Sequence, residues 1–391
     1  MKVGQFSDTF LPVVDGVGRV VSNYAKVMGE LCEACYVVTP KQKNFDHDIP
    51  TYEVVEFSGI AVPKMHQYRA GVPALDARYQ SRIAKIQLDI IHAHSPFVAG
   101  REAYRISRRH GIPLVATFHS KYYDDFYQIT HSKTLSKLGN NIVMDFFSKC
   151  DQVWAVSKST AEVLRSYGYE GSIEVIENGT DLKEPDLEAI SMVEELYNIG
   201  QEPLLLFVGQ MNWKKNIRRV LEAVDTLVRQ GRKLRLIMAG QGPSESEIHE
   251  LTTSLGLGQV VTYTGHITDA RILDGLYARA DLFVFPSLYD NAPMVVREAA
   301  AIGTPSLLAA GSSAAEVVQD GKNGLLANDT TMDMAGRIVW ALDHPEELKE
   351  IGKVARQTIP KPWKNIVEEV LERYEDLIDT NKRLGLRRSQ M

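Results

Sequence analysis

The sequence predicts an α/β protein built from two doubly wound domains in tandem. At 391 residues the chain is longer than one ordinary hydrophobic core requires. Short β-branched runs alternate with amphipathic helical stretches, which is the pattern of parallel sheets covered by helices on both faces. The alternation starts again after Asp181, so a second sheet is expected to follow the first.

The first series of strands occupies the N-terminal half of the chain. Strand Lys2–Phe6 is followed by a loop at Ser7–Gly18 and then by a helix whose apolar residues recur every three or four positions. We expect this domain to span residues 1–182. Its further predicted strands are Ala34–Val38, Ile90–Ala93, Leu114–Phe118, Gln152–Ala155 and Ile173–Ile176.

The second series is expected to form a domain over residues 183–361, with a linker and a first helix at Leu182–Gly200. The last predicted helix, Trp363–Ile378, carries an apolar stripe. We therefore expect the segment from about 362 to 391 to pack back on the first domain, with a frayed tail at Lys382–Met391. The strands of the second series are Leu204–Val208, Leu234–Met238, Val260–Tyr263, Leu282–Phe285 and Ser306–Leu308.

Composition and charge exclude several classes of function. The net charge of −6 argues against duplex nucleic acid as the main partner, because phosphate neutralisation needs a basic surface. The N-terminus has no signal-peptide pattern, and no apolar run approaches the ~18–20 residues of a membrane-spanning helix. We therefore expect a cytoplasmic protein. Cys32-x-x-Cys35 has no second pair at metal spacing, so reduced, buried cysteines are expected.

The most informative segment is the polar loop and helix that follow strand Leu282–Phe285. Asp290 or Asn291 is expected to cap this helix, and Pro293 suits its first turn. The backbone N–H groups and the dipole at the start of a helix suit a phosphate. Glu298 lies about one turn further, where its carboxylate can accept hydrogen bonds from both hydroxyls of a ribose.

Three other segments end strands and carry polar or glycine-rich chemistry. Gly209-Gln210 follows strand Leu204–Val208 and is itself followed by two adjacent cations, Lys214 and Lys215. Gly16 and Gly18 open a helix, so that backbone N–H groups can approach an anion closely. His119 follows strand Leu114–Phe118. Ligands of doubly wound sheets bind beyond these carboxyl ends, so the segments predict a binding site.

Together these motifs resemble the family 4 retaining glycosyltransferases, over nearly the whole chain. The resemblance implies the GT-B fold, in which two Rossmann-like domains face each other across a cleft and the C-terminal helix packs back on the N-terminal domain. Asp290–Glu298 is similar to the family's Glu-x7-Glu signature, with Asp290 in place of the first Glu. Gly209–Lys215 is similar to its Gly-Arg-x4-Lys element, with Gln210 in place of the arginine.

The resemblance also implies roles for individual residues. Glu298 matches the glutamate that holds the nucleotide ribose, Asp290 the residue that meets the hydroxyls of the transferred sugar, and Lys215 the cation on the diphosphate. His119 matches the histidine that touches the 6-hydroxyl of that sugar. The expected catalytic residues are thus His119, Lys215 and Asp290. The expected donor-binding residues are Gly16, Gly18, Gly209, Gln210, Lys215, Gly242, His266, Asn291, Ala292, Pro293, Met294 and Glu298.

The function implied is transfer of a hexose from a nucleotide-diphosphate sugar, with a UDP-sugar such as UDP-glucose favoured, to a sugar or glycolipid acceptor. We expect retention by front-face attack, without metal or cofactor, since no Asp-x-Asp signature ends a strand of the first domain. Two alternatives stay open: a GT-B nucleotide-sugar epimerase, and a non-catalytic sugar-nucleotide-binding subunit, which the departures at Gln210 and Asp290 motivate.

Two features bear on the acceptor and on metal binding. The aromatic segment Lys121–Tyr127 and the helix Ser132–Lys149 mix lysines with apolar residues. They suit either a peripheral contact with the inner face of the plasma membrane or a lid over a soluble sugar. His92 and His94 could together suggest a metal ligand pair, but we expect strand alternation to turn them to opposite faces.

Overall fold

The structure is a computed structural model that describes residues 1–12, 15–42, 51–62 and 65–389, with side chains at 65–68, 70 and 384–389 left undescribed. The chain divides into two compact units. Unit 1 comprises Met1–Gly179 and Trp363–Met391, and unit 2 comprises Thr180–Pro362. The sequence placed the first boundary after residue 182 and the return at about 362, within three residues of these divisions.

Unit 1 is built on a seven-stranded parallel sheet. The order β3-β2-β1-β6-β7-β8-β9 reverses direction between β1 and β6, and the carboxyl ends of those two strands mark the switch point. A separate antiparallel pair, β4 and β5, follows β3. The strands are β1 (Lys2–Phe6), β2 (Ala34–Pro40), β3 (Glu53–Phe57), β4 (Ile60–Val62), β5 (Met65–Ala70), β6 (Ile90–Ala93), β7 (Leu114–Phe118), β8 (Gln152–Ala155) and β9 (Glu174–Val175).

Within the described residues, six helices belong to this unit besides the C-terminal helix and one short 3₁₀ helix, and the longer ones bury an apolar stripe. In α1, for example, Val20, Val21 and Met28 are buried at helical spacing. A short 3₁₀ helix spans Pro73–Leu75. The helices are α1 (Gly16–Leu31), α2 (Ala77–Ile83), α3 (Val98–His110), α4 (Tyr122–Thr130), α5 (Lys133–Phe147) and α6 (Lys158–Ser166).

Unit 2 repeats the plan with a six-stranded parallel sheet. Its order, β12-β11-β10-β13-β14-β15, reverses between β10 and β13. Each of these strands is followed by a loop and then a helix, so the loops after β10 and β13 lie side by side at the switch point. The strands are β10 (Leu204–Val208), β11 (Arg235–Ala239), β12 (Val261–Gly265), β13 (Leu282–Phe285), β14 (Ser306–Ala309) and β15 (Leu325–Ala327).

The helices of unit 2 pack on both faces of its sheet. Short 3₁₀ helices span Trp213–Lys215 and Ser313–Val317. The helices are α7 (Leu187–Leu196), α8 (Ile217–Arg229), α9 (Glu245–Ser254), α10 (Ala270–Arg279), α11 (Met294–Ile302), α12 (Thr331–Asp343) and α13 (Pro345–Thr358).

The last helix, α14 (Trp363–Ser389), belongs to unit 1, as the sequence predicted. Its stripe Trp363, Val367, Val370 and Tyr374 is buried, and the rings of Trp363 and Tyr24 of α1 lie 5.6 Å apart. The helix is eleven residues longer than the predicted Trp363–Ile378, and most of the tail that was expected to fray is helical.

Four strands were not predicted from the sequence: β3, β4, β5 and β15. β4 and β15 have only three residues each, and the burial of β3 alternates rather than forming a continuous apolar run. Short or half-exposed strands give a weak signal. None of the helices in the described part of the chain is long and apolar enough to cross a membrane.

Candidate functional site

The loops that leave β10 and β11 meet backbone to backbone in unit 2. The amide of Gly209 donates to the carbonyl of Ala239 at 2.9 Å. Gly240 has φ 138°, and a Cβ there would lie 1.9 Å from the Gly209 carbonyl oxygen. A Cβ on Gly242 would lie 2.5 Å from the Met211 carbonyl oxygen. Glycine is therefore needed at both positions for this close approach.

Lys215 and Asp290 form an ion pair at the switch point between β10 and β13. The Lys215 Nζ lies 2.5 Å from Oδ1 of Asp290, and the two side chains are 15% and 19% exposed. The other carboxylate oxygen, Oδ2, accepts a hydrogen bond from the buried Ser287 hydroxyl at 2.5 Å. The structure thus brings together two of the three predicted catalytic residues, and it adds Ser287, which the sequence analysis missed.

Two neighbouring polar residues, Gln210 and Lys214, lie on the loop after β10. Gln210, at the position of the family's arginine, is exposed. The Nζ of Lys214 lies 4.2 Å from the ring centroid of Tyr289. The Nζ of Lys215 lies 6.0 Å from the ring centroid of Phe285. The two lysines therefore contact different groups: Lys214 lies over an aromatic ring, and Lys215 is paired with the Asp290 carboxylate.

The start of α11 differs from the expectation. The helix begins at Met294 with Pro293 as its N-cap residue and no side-chain cap, so the predicted capping by Asp290 or Asn291 is wrong. Asp290 is instead held by Lys215 and Ser287. Ala292 adopts φ 39°, a strained backbone conformation of the kind that clusters at functional sites. The buried Oδ1 of Asn291 has no hydrogen-bond partner within the described residues.

Glu298 lies about one turn into α11 and is buried, with 7% of its surface exposed. Its Oε2 accepts a hydrogen bond of 3.3 Å from the hydroxyl of Tyr277, a fully buried residue of α10. His266 follows β12 and is exposed beside Gly265, which has φ 69°. The carboxylate is therefore oriented by a hydrogen bond from α10.

In unit 1, Gly16 and Gly18 lie in the first turn of α1, within the segment that the sequence assigned to a loop. Asp15 is the N-cap residue, and its Oδ1 accepts from the Gly18 amide at 2.6 Å. Burial raises the pKa of the Asp15 carboxyl. A Cβ on Gly16 would have no neighbour within 4 Å, so the space there is open. Val13 and Val14 of the predicted loop lie outside the described residues.

His119 follows β7 and contacts a second histidine. Its Nε2 lies 3.1 Å from Nδ1 of His94, and burial lowers the pKa of His119 to about 4. The rings of His92 and His94 lie 4.1 Å apart. The expectation that they face opposite ways is wrong, because residues two positions apart in a strand share a face. Burial lowers the pKa of both His92 and His94.

The histidines are held by buried polar residues that the sequence analysis did not single out. Gln5 contacts His94, Thr117 contacts His92, and Tyr374 contacts both Gln5 and His92. A glutamine in the middle of an apolar strand such as Lys2–Phe6 was the available signal, since buried polar groups must find partners. Across the described ranges, no group of three or more His, Cys, Asp or Glu side chains is placed to hold a metal ion.

Comparison with known proteins identifies the family. The family described as "Glycosyltransferase Family 4" matches residues 14–184, and the one described as "Glycosyl transferases group 1" matches residues 193–358. The two matches together span most of the chain, one for each unit. The chain belongs to the family 4 glycosyltransferases of GT-B fold. Its members are enzymes, and this chain is a hexosyltransferase.

Two relatives are similar to this chain over nearly their full lengths. An alpha-monoglucosyldiacylglycerol synthase of Acholeplasma laidlawii is 24% identical over 98% of this chain and 99% of its own. A GDP-mannose-dependent alpha-mannosyltransferase of Corynebacterium glutamicum is 24% identical over 99% and 91%. Among solved structures, Anabaena HepE in complex with UDP-glucose has a TM-score of 0.77 at 18% identity, over 96% of this chain and 100% of HepE. These structures share the fold.

Proposed function

We propose that this family 4 glycosyltransferase transfers a hexose from a UDP-sugar to a glycolipid or sugar acceptor with retention of configuration and without a metal ion. The observation that carries the proposal is the ion pair of Lys215 and Asp290, which lies where β10 and β13 end. Parallel sheets bind ligands at such a switch point, and here it offers a partly enclosed cation beside a helix N-terminus.

The diphosphate of the donor is proposed to bind at Lys215 and at the N-terminus of α11. The ammonium is already held by Asp290, so a diphosphate shares or takes over a cation that is fixed in place. Asp290 then remains available to the hydroxyls of the sugar. Oδ1 of Asn291, which has no hydrogen-bond partner within the described residues, is a second acceptor next to Asp290 in the sequence. A hydrogen bond from a sugar hydroxyl would supply the partner that this oxygen lacks.

The nucleoside is proposed to bind along α11 and the end of β12. In this proposal Glu298 accepts hydrogen bonds from the ribose hydroxyls. The hydrogen bond that the Tyr277 hydroxyl donates to Oε2 of Glu298 fixes the orientation of the carboxylate. The backbone at Gly265 and His266 meets the base. Gly240 and Gly242 allow the loops after β10 and β11 to approach each other closely beside this surface.

Uridine is proposed as the nucleoside because a fold neighbour, HepE, was solved with UDP and with UDP-glucose. The mannosyltransferase relative uses GDP-mannose by name, so the base is open to a direct test. A thermal-shift screen of UDP-, GDP- and ADP-sugars is expected to give the largest rise in melting temperature with a UDP-sugar. A larger rise with a GDP- or ADP-sugar would overturn the uridine assignment while leaving the transferase intact.

Front-face transfer is proposed because the family resemblance implies it and because Lys215 offers a cation for the leaving diphosphate. The bond between the anomeric carbon and the leaving phosphate oxygen breaks, and a bond to the acceptor oxygen forms on the same face. The acceptor's hydroxyl proton passes to the leaving phosphate. Lys215 and the helix dipole stabilise the charge that develops on the diphosphate. NMR of the first product formed is expected to show the anomeric configuration of the donor, and turnover is expected to survive chelation of divalent metals.

The acceptor is proposed to be a glycolipid that the enzyme reaches at an anionic membrane. A set of apolar side chains on α4 and α5, here the α4–α5 surface, is exposed by 41–57%. Exposed Lys133 and Lys137 lie on the same helix α5. Apolar side chains with nearby lysines suit insertion at a negatively charged lipid surface. The surface consists of Tyr127, Ile129, Leu135, Leu138 and Ile142.

Vesicle flotation tests this contact. The protein is expected to float with vesicles that contain anionic lipid, and the double variant Leu135→Asn with Leu138→Asn is expected to remain at the bottom. Leu187→Ser is the matched control, because Leu187 is 77% exposed but lies on α7 in unit 2. Equal flotation of the double variant and the parent, or no flotation of the parent, would overturn the membrane proposal but not the donor assignment.

A further inference from the structure

A buried hydrogen-bond network in unit 1 connects the C-terminal helix to His119. Its members are fully or almost fully buried: Gln5, His92 and Tyr374 are 0% exposed, His94 1% and Thr117 5%. Buried polar side chains of this kind are held in one arrangement, because each unmade hydrogen bond leaves a desolvated group without a partner. The network therefore has a definite order of donors and acceptors.

The order begins at Gln5, whose amide nitrogen can be identified from its neighbours. Nε2 of Gln5 lies 3.2 Å from the sulfur of Met28 and 3.3 Å from the Tyr374 hydroxyl oxygen. A thioether can only accept a hydrogen bond, and only weakly, so Met28 identifies the N–H₂ side of the amide while the Tyr374 hydroxyl oxygen is its stronger acceptor. The carbonyl oxygen Oε1 then faces His94, at 2.5 Å from its Nε2.

This orientation determines the tautomers of His94 and His119. The Gln5 oxygen can only accept, so His94 carries its proton on Nε2. Burial lowers the pKa of His94, which keeps the ring neutral and leaves Nδ1 as an acceptor. Nδ1 is 3.1 Å from Nε2 of His119, which must therefore be the donor. With its own pKa lowered to about 4, His119 is also neutral, and its remaining nitrogen Nδ1 carries a lone pair.

Tyr374 completes the network from α14. Its oxygen accepts from Gln5, so its proton is donated to Nδ1 of His92 at 2.5 Å. His92 then donates from Nε2 to the hydroxyl of Thr117 at 2.7 Å. Every donor in this order meets an acceptor. The opposite assignment at His92, with Nδ1 donating to Tyr374 and Nε2 accepting from Thr117, would leave the Tyr374 proton without an acceptor in the network, and it would not change the assignments at His94 and His119.

We propose that Tyr374 is a positioning residue for His119: through Gln5 and His94 it holds the imidazole of His119 in the tautomer with Nε2–H directed to His94, so that Nδ1 accepts a hydrogen bond from a substrate hydroxyl. The second half of this inference rests on the proposed function, since it needs a sugar hydroxyl at His119. The first half concerns the free protein and can be tested alone.

The test combines NMR with kinetics on the full chain. With ¹⁵N-labelled histidine, long-range ¹H–¹⁵N spectra distinguish a protonated ring nitrogen from one with a lone pair. The parent is expected to show protonated Nε2 and unprotonated Nδ1 at His119. Tyr374→Phe, which removes one hydroxyl, is expected to give mixed tautomers at His119 and to lower kcat about five- to tenfold, with an unchanged Kd for UDP.

Two further variants isolate the route through Gln5. Tyr24→Phe is the control. The ring of Tyr24 lies 5.7 Å from the ring of His94, and removal of its hydroxyl alone keeps that ring and every hydrogen bond of the network. Gln5→Met removes the amide at similar volume. If Tyr374 acts through Gln5, then Tyr374→Phe is expected to change neither the spectrum nor kcat further once Gln5 is methionine.

Several results would overturn the inference. A protonated Nδ1 at His119 in the parent would contradict the assigned order. An unchanged His119 spectrum in Tyr374→Phe would show that Tyr374 of α14 does not determine the tautomer of His119. A changed spectrum with an unchanged kcat would show that this tautomer has no effect on catalysis. Failure of the proposed function appears separately, as absent UDP binding or absent transfer, while the parent spectrum still reports the network.

Discussion

The carboxyl edges of the two parallel sheets in this molecule carry different polar side chains. In unit 1 the side chains at the ends of β6 and β7 are neutral histidines whose pKa values are lowered by burial. In unit 2 the ends of β10 and β13 hold an ammonium and a carboxylate in contact, with the buried carboxylate of Glu298 close by in sequence on α11.

The difference matches two kinds of ligand chemistry. A diphosphate carries charge that must be met by a cation, whereas sugar hydroxyls are neutral and require directed hydrogen bonds. Neutral imidazoles supply one donor and one acceptor each without the desolvation penalty of a buried charge. The comparison teaches that the same fold position is specialised by the side chains that end the strands, and the variants below test each half.

The largest effect is expected at Lys215. Removing the cation in Lys215→Ala leaves the developing negative charge of the diphosphate to backbone dipoles alone. We expect kcat to fall about 10²- to 10³-fold, as when one preorganised donor to a developing anion is removed. Steady-state kinetics with a UDP-sugar measures this, with a thermal melt to show that the variant is folded.

Lys214→Ala is the matched control for Lys215→Ala. Lys214 is the adjacent residue, and its Nζ lies over the ring of Tyr289. A change in kcat of less than about fivefold is expected. Equal losses in the two variants would contradict the assignment of the diphosphate to Lys215.

Glu298 is expected to come second. Glu298→Gln keeps the volume but removes the charge-assisted hydrogen bonds to the ribose, each worth about 1.5–3 kcal/mol. The Kd for UDP is expected to rise about 10- to 100-fold by calorimetry. Glu250→Gln, at an exposed position on α9, is the control and is expected to bind like the parent.

A deoxy ligand identifies what Glu298 contacts. The parent is expected to bind 2′-deoxy-UDP more weakly than UDP, because one hydroxyl is missing. In Glu298→Gln the two ligands are expected to bind almost equally. A deoxy penalty that persists in full in this variant would place the ribose elsewhere.

The third prediction concerns the neutral half of the comparison, through pH. The pKa of His119 is lowered to about 4 in the folded protein, below the ordinary value of 6.5. Between these values the unfolded chain binds more protons, so the stability from neutral His119 is fully present above about pH 6.5 and is lost as the pH falls toward 4. The loss is at most about 1.4 kcal/mol per pH unit.

His119→Gln removes this titration while keeping an amide donor toward His94. Its deficit in melting temperature relative to the parent is expected to be largest near pH 7 and to shrink as the pH is lowered toward 5. His110→Gln, at the exposed end of α3, is the control for loss of a histidine. A deficit for His119→Gln that is constant with pH would contradict burial of the neutral ring.

Much of the fold and part of the site could be predicted from the sequence, for physical reasons. Buried parallel strands such as Leu204–Val208 and Leu282–Phe285 are continuous apolar runs, and polar residues directly after them are confined to the carboxyl edge of the sheet. Lys215 and Asp290 are 75 residues apart, yet their motifs placed both at that edge, where the structure pairs them.

The contacts that depend on packing could not be predicted. Tyr374 and Gln5 are 369 residues apart, and only the seating of α14 on unit 1 brings them together. Likewise, the prediction that Asp290 caps α11 was wrong, because its carboxylate accepts hydrogen bonds from the Lys215 ammonium and the Ser287 hydroxyl instead. Local pattern indicates which groups end a strand, but which of several partners each group takes is decided by tertiary contacts.

The smallest expected effect is a gain, at Gln210. This exposed residue follows β10, at the position where the family's Gly-Arg-x4-Lys element has an arginine. Gln210→Arg therefore adds a second cation to the switch point that holds Lys215. We expect the Kd for UDP to fall by no more than about tenfold, because an exposed side chain loses rotamer entropy and is screened by salt. The gain is expected to shrink at high ionic strength.

Two companion variants make this gain informative about charge. Gln230→Arg adds the same charge at the end of α8, at the opposite edge of the sheet, and is expected to leave the Kd unchanged. Adding Gln210→Arg to the Lys215→Ala variant is expected to recover part of the lost kcat, because the arginine restores a positive charge at this switch point. No recovery, together with unchanged UDP affinity of Gln210→Arg alone, would mean that the geometry of the Lys215–Asp290 pair governs transfer, and that added charge at this switch point does not.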